Sequence, residues 1–280
     1  YVCKGFETVA DYKLKCHVFS TIGSHGSLTV EQALMNSCNP YMIHLALEMG
    51  NSRFAYYQSL FGFGKITGID LPGETTGIVY GDRMTTIDAA CNSFGQTINV
   101  NMMQMMASYG SIINGGMLYQ PHIVKRIESA NGEVVKEYKA NLVRQTITAS
   151  TSKLLRRYLK NTVEEGTAKK AGVTGYSVAG KTGTAQKGDR KDNKWIISFI
   201  GHAPAENPKF AIYVVIDEPY GTTGTSGSSA DVLTLTHNIL EKLLPYMNVY
   251  KDASDEYEDT SSSPDELTVD GIPAGTASSN

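Results

Sequence analysis

Residues 176–217 set the strongest limit on the fold. Three segments rich in β-branched and aromatic residues, "YSVAGKTGTAQ", "KWIISFIGHAP" and "KFAIYVVID", follow one another with hairpin-scale gaps. Gaps that short hold no crossover helix, so the strands are expected to pair antiparallel rather than through βαβ units. The stretch "SADVLTLTHNILEKLLPYM" then supplies a long amphipathic helix to cover the sheet. The first half of the chain is mostly helical in pattern. Helices first and an antiparallel sheet second make an α+β arrangement.

The helix boundaries of the first half are marked by capping residues. Thr29 and Gln32 form a capping box ahead of Val30, Ala33 and Leu34. Asn39-Pro40 reads as a second helix start, Asn as cap and Pro at the first helical position, and the apolar face of Met42, Leu45, Ala46 and Met49 stops at Gly50. Ser37-Cys38-Asn39 therefore falls on the joint between two helices. A third helix is expected over 53–60 and another from near Thr86. Asn101 with Gln104 caps the Met-rich "NMMQMMASYGSII", whose methionines read as core filler. Ser150 or Thr151 is expected to cap the helix that Gly166 closes. "HIVKRIESANGEVVKEYK" reads as a β-hairpin with a type I′ turn at Asn131-Gly132, and residues 1–19 alternate enough for a short hairpin.

Composition narrows the function classes. The 280 residues are 41% hydrophobic and 19% charged with a net charge of −3, without the basic excess of a nucleic-acid-binding protein. Asp252, Asp255, Glu256, Glu258, Asp259, Asp265, Glu266 and Asp270 stand against Lys251 alone near the C-terminus. The chain is thus divided into a domain over 1–248 and an acidic disordered tail over 249–280. No run of about 18 apolar residues is present. A start at "YVCKGFETV", without Met, is expected to lie inside a longer protein. Cys3 and Cys16 are compatible with free thiols or with a bridged hairpin. With His17 and His25 they would make a metal cluster, although the spacing matches no zinc pattern.

"GYSVAGKT", residues 175–182, fits the phosphate-loop pattern at every fixed position. Such a loop needs a strand before it and a helix after the Lys-Thr pair, so that the helix N-terminus holds phosphate. Here a helix ends before Gly175 and "GTAQKGDRKDNK" follows Thr182. A Walker-B-like strand ending at Asp217 does not supply the missing helix. On a strand instead, Lys181 and Gly183 point to one face and Thr182 and Thr184 to the other, with Gly183 open to close backbone approach. That is a K-T-G element, and Ser37-Cys38-Asn39 far upstream is an S-x-N element of the kind that accompanies it in penicillin-recognising serine enzymes.

The likeness extends past these motifs. "GSLTVEQALMNSCNPYMIHLALEMG", "GFGKITGIDLPGE", "SFGQTINVNMMQMM", "INGGMLYQPHIVKRI" and "VAGKTGTAQ…WIISFIGHAPAENPKFAIYVVID" resemble, in order, the transpeptidase domain of class B penicillin-binding proteins. "KTGTAQ" and "SFIGHAPAENP" resemble the monofunctional form, and the cysteine-containing opening is most similar to the division and sporulation branch of Gram-positive bacteria. The resemblance implies the serine β-lactamase-like fold, an antiparallel sheet with helices on both faces plus a helical subdomain, here truncated at its N-terminus. It implies no cofactor and no metal. Its nucleophile is a serine in an S-x-x-K motif upstream of S-x-N. Ser150-Thr-Ser-Lys153 is an S-x-x-K in the wrong order and reads as a helix cap, so the nucleophile is expected upstream of Tyr1.

The resemblance further implies acyl transfer from D-Ala-D-Ala stem peptides. Ser37 would relay a proton and Asn39 would hold the donor peptide amide. Lys181 would supply fixed positive charge. Thr182 and Thr184 would bind the terminal carboxylate, and the Thr184 N–H would give half of an oxyanion hole. Implied partners are peptidoglycan stem peptides, β-lactams and other cell-wall synthesis proteins, at the extracytoplasmic face of a membrane reached through a missing N-terminal anchor. Gln96 is expected to be a structural support. A penicillin-sensing or inactive scaffold on the same fold is the alternative, followed by a β-lactamase, for which no deacylating Glu motif presents itself, and last a nucleotide hydrolase.

Overall fold

A computed structural model describes residues 1–188, 194–219 and 228–252. Short strands β1 (Val2–Cys3), β2 (Phe6–Val9), β3 (Tyr12–Lys15) and β4 (Gly26–Ser27) precede helices α1 (Val30–Met35), α2 (Asn39–Met49), α3 (Asn51–Leu60), α4 (Thr86–Ser93) and α5 (Met102–Ile113). Strands β5 (Met117–Gln120), β6 (Arg126–Glu128), β7 (Val134–Glu137) and β8 (Asn141–Gln145) lead to α6 (Ala149–Glu164). Then come β9 (Ala179–Lys187), β10 (Lys194–Ala203), β11 (Phe210–Asp217) and α7 (Ala230–Tyr246). The last three strands form one antiparallel sheet in the order β11-β10-β9.

Alternation along β10 explains the two layers around that sheet. Ile197, Phe199 and Ala203 pack with Val232, Leu233, Leu240 and Leu244 of α7. Ile200, between them in sequence, belongs to the cluster on the opposite face with Tyr109 and Ile113 of α5 and Leu159 of α6. Phe199 fills so much space that a Cβ on Gly180 would lie 2.3 Å from its ring. His202, fully buried, points into the α5 layer. Its Nδ1 accepts from Tyr109 Oη at 2.8 Å and its Nε2 donates to Ala205 O at 3.2 Å. Burial holds this imidazole neutral, with its pKa pushed down to about 4.

The capping boxes at Thr29–Gln32 and Asn101–Gln104 form as the sequence requires, joined by another at Thr85–Asp88. Four local expectations are corrected. Helix α3 starts at Asn51 rather than Arg53. The cap of α6 is Thr148, whose side chain accepts from Thr151 N–H at 3.1 Å, and not Ser150 or Thr151. At Asn131-Gly132 only Gly132 has positive φ, at 85°. A type I′ turn needs two such residues; here Gly132 N–H donates to Ser129 O and Ser129 N–H to Glu133 O, a wider turn closed by one left-handed glycine. Finally, Asn39 does not cap α2. Cys38 holds the N-cap position and Asn39 is already helical.

The chain remains packed beyond Tyr246: Val249 is buried in the α7 cluster and Asp252 N–H donates to Gly175 O at 2.7 Å. The acidic stretch beyond 252 lies outside the described residues. Among the described residues no helix is long and apolar enough to cross a membrane.

Candidate active site

The end of α1 places the first site residue. Ser37 N–H donates to Leu34 O and Cys38 N–H to Ala33 O, the paired closing bonds of a Schellman motif. Such an ending needs a left-handed residue, and Ser37 takes that role at φ 50°. The turn releases the chain into extended geometry at Cys38, so helical geometry resumes at Asn39. This is why the side chain of Asn39 is free of capping duty. Its Nδ2 instead lies 3.5 Å from Lys15 O at the end of β3.

Lys181 comes from near the start of β9, two residues after Ala179, on the strand at one edge of the sheet. It pairs with Ile200 and so points toward the α5–α6 side. Its Nζ donates to Ser37 Oγ, to Thr182 O at 3.0 Å and to Thr182 Oγ1 at 3.3 Å. The two motif residues that the sequence separates by 144 positions are thus in direct contact. No carboxylate pairs with this lysine among the described residues, and burial pushes its pKa down to about 8. A cation held by hydroxyls and a carbonyl, without a counter-ion, favours an arriving anion.

β9 as a phosphate loop is ruled out by the same geometry. Lys181 lies inside a nine-residue strand, with β10 paired along it from Ala179 to Lys187, so Thr182 is followed by strand and not by a helix N-terminus. At Gly183 a Cβ would meet Ser198 Oγ at 2.5 Å. Thr184 lies on the exposed part of the strand, directly opposite Ile197.

Two residues that the sequence did not single out hold the site together. Thr167 N–H donates to Met35 O at 3.1 Å, and its Oγ1 lies 3.4 Å from both Ser37 Oγ and Thr182 Oγ1. Thr162, fully buried at the end of α6, donates through Oγ1 to Gly180 O and pins that helix to β9. The only local signal was the threonine after the helix-closing Gly166. Ser150 is remote from this cluster. It precedes Thr162 by a dozen residues on one helix, which is about 18 Å along the axis, and its Oγ bonds Thr148 Oγ1 at 2.9 Å.

The penicillin binding protein transpeptidase domain family matches residues 7–241. The chain belongs to that family. The transpeptidase domain is 39% identical over 251 residues to stage V sporulation protein D of Bacillus subtilis, covering 88% of this chain and 38% of that protein. It is 32% identical to peptidoglycan D,D-transpeptidase FtsI of Escherichia coli K12, over 86% of this chain and 40% of that protein. Among solved structures, penicillin binding protein 3 of Mycobacterium tuberculosis in complex with aztreonam superposes with a TM-score of 0.79 at 28% identity, over 90% of this chain and 58% of that one. The chain spans about two fifths of the length of the curated relatives it matches. The expected fold is therefore the observed one: a penicillin-binding transpeptidase domain with its antiparallel sheet between helical layers.

Proposed function

We propose that this chain carries the substrate-binding and proton-relay half of a peptidoglycan D,D-transpeptidase, which transfers the acyl group of a D-Ala-D-Ala stem peptide to a neighbouring amine and is acylated by β-lactams. The observation that carries the reading is the half-buried ammonium of Lys181, bonded to Ser37 Oγ at the edge of the sheet and without a carboxylate partner among the described residues. In this reading Lys181, Thr182 and Thr184 receive the terminal carboxylate of the donor or its β-lactam mimic. Ser37 passes a proton between the catalytic base and the departing or attacking nitrogen. Asn39, spared from capping, holds the donor amide, and the Thr184 N–H with the nucleophile's own N–H forms the oxyanion hole. Gly183 keeps the strand narrow opposite Ser198.

The acylated serine would come from a segment outside these residues. Ser150 is too far along α6 to share a proton with Ser37. The two-fifths coverage of FtsI and stage V sporulation protein D fits a catalytic domain completed by further sequence. Stem peptides and β-lactams are then the ligands, cell-wall synthesis proteins the partners, and the extracytoplasmic face of a membrane the working place.

The test is fluorescent-penicillin labelling of a polypeptide extended upstream to include an S-x-x-K segment. Labelling is expected there and not with residues 1–280 alone, with Lys181→Ala slowing it at least about a hundredfold. Its rate should fall as pH rises past about 8, because the ammonium that attracts the carboxylate loses its proton there. Covalent labelling of residues 1–280 that disappears with Ser150→Ala would overturn this assignment.

A further inference from the structure

Four side chains that the acyl-transfer reading does not use converge beside the S-x-N joint. The ligand atoms of Cys3, Cys16, His25 and Cys38 all lie within 4.8 Å of one another, and the three cysteines are buried, unbridged thiols. His25 Nδ1 is 3.6 Å from Cys16 Sγ and 3.9 Å from Cys3 Sγ. A tetrahedral zinc ion with Zn–S near 2.3 Å and Zn–N near 2.0 Å requires edges of about 3.5–3.8 Å between its ligands. The cluster approaches that size without any change of backbone. From these distances we propose that Cys3, Cys16, His25 and Cys38 form a structural zinc site.

Backbone amides reach the sulfurs. Gly5 N–H donates to Cys3 Sγ at 3.4 Å, the amides of Val18 and Asn39 face Cys16 Sγ, and that of Tyr41 faces Cys38 Sγ. Backbone donors of this kind orient metal-bound sulfur and spread its charge. Metal bound at Nδ1 would leave the ring proton of His25 on its other nitrogen. His17 does not take part, since its Nε2 is 2.9 Å from Asn36 O. Three thiolates and one imidazole, all four positions filled by protein, make a closed Cys3His set that leaves no position for substrate or water, as in structural rather than catalytic zinc. On binding, Zn²⁺ replaces three thiol protons, which pass to solvent.

The site ties together four segments around one small core cluster, in which Cys3, Cys16 and Cys38 pack with Ala33 and Tyr41. Cys3 ends β1, Cys16 follows β3, His25 precedes β4 and Cys38 caps α2. Two of the links run straight to the S-x-N motif. Cys38 stands between Ser37 and Asn39, and Lys15, whose carbonyl receives Asn39 Nδ2, precedes Cys16. Metal would thus fix the turn that aims both side chains.

The experiment uses residues 1–280 purified under reducing conditions, exposed to zinc chloride and dialysed into metal-free buffer. Elemental analysis is expected to find about one zinc per chain. Cobalt chloride in its place should give the intense visible bands of tetrahedral thiolate coordination, a readout that needs no variant. Cys16→Ser and His25→Ala are each expected to lower retained zinc about tenfold or more, and His25→Cys to keep it. Saturating zinc should raise the thermal midpoint of the unsubstituted chain by about 5–10 °C and leave Cys16→Ser unmoved. Folded chain retaining less than about a tenth of an equivalent would overturn the site. So would zinc undiminished in both Cys16→Ser and His25→Ala, or a disulfide among Cys3, Cys16 and Cys38 that persists with zinc present.

Discussion

Ser37 is where the chain accepts local strain for chemistry. A left-handed φ of 50° costs an L-residue roughly 1–2 kcal/mol, and glycine would adopt it freely. Only serine also offers a hydroxyl to Lys181 and Thr167. Ser37→Gly is therefore expected to raise unfolding stability by about 1 kcal/mol in a denaturant titration while removing penicillin labelling from the extended polypeptide. A loss of stability of that size would mean that the hydroxyl's bonds outweigh the strain. The S-x-N spacing was legible in the sequence. The backbone sign at Ser37 was not, and the capping role expected of Asn39 failed for that reason: the left-handed turn moves the cap to Cys38.

At the scale of the element, two of the three reciprocal caps were legible, Thr85 with Asp88 was not, and neither was the single cap of α6. Thr29 with Gln32 and Asn101 with Gln104 each satisfy two amides within four residues, so no distant contact is needed to select them. Ahead of α6, Thr148, Ser150 and Thr151 all carry hydroxyls, and the path of the chain out of β8 decides among them. Thr148→Ala is expected to cost about 1 kcal/mol by chemical denaturation, and Ser150→Ala less than about 0.5 kcal/mol. Equal losses would show that the two hydroxyls act as one cap. The turn at Asn131-Gly132 makes the same point, since Gly132 alone takes positive φ and the loop is wider than its two-residue signature.

For the whole molecule, the sheet has one edge in the site and one without a partner. Among the described residues no strand pairs with the far side of β11, although "FAIYVVI" is apolar throughout. Such an edge recruits other chains. Residues 1–280 are expected to self-associate as concentration rises, and Val215→Lys to reduce this in sedimentation or light scattering. A monomer that melts in one cooperative step would show the edge to be covered. The sequence by itself determined the three long strands, the principal helices and two hairpins, because period-two strands and reciprocal caps are local, and it determined the motifs that carry the family likeness. The pairing of β5 with β8 and of β1 with β4 had no such local signal. Tertiary structure decided which distant residues meet. Thr162 and Thr167 lock α6 and the segment after it to β9 and α1, which brings Ser37 within reach of Lys181 and half-buries that ammonium away from every carboxylate among the described residues. Closing the first strands over the start of α2 gathers Cys3, Cys16, His25 and Cys38 from spacings that match no motif. Contacts across more than a hundred residues follow from how whole layers pack, and no local pattern encodes them.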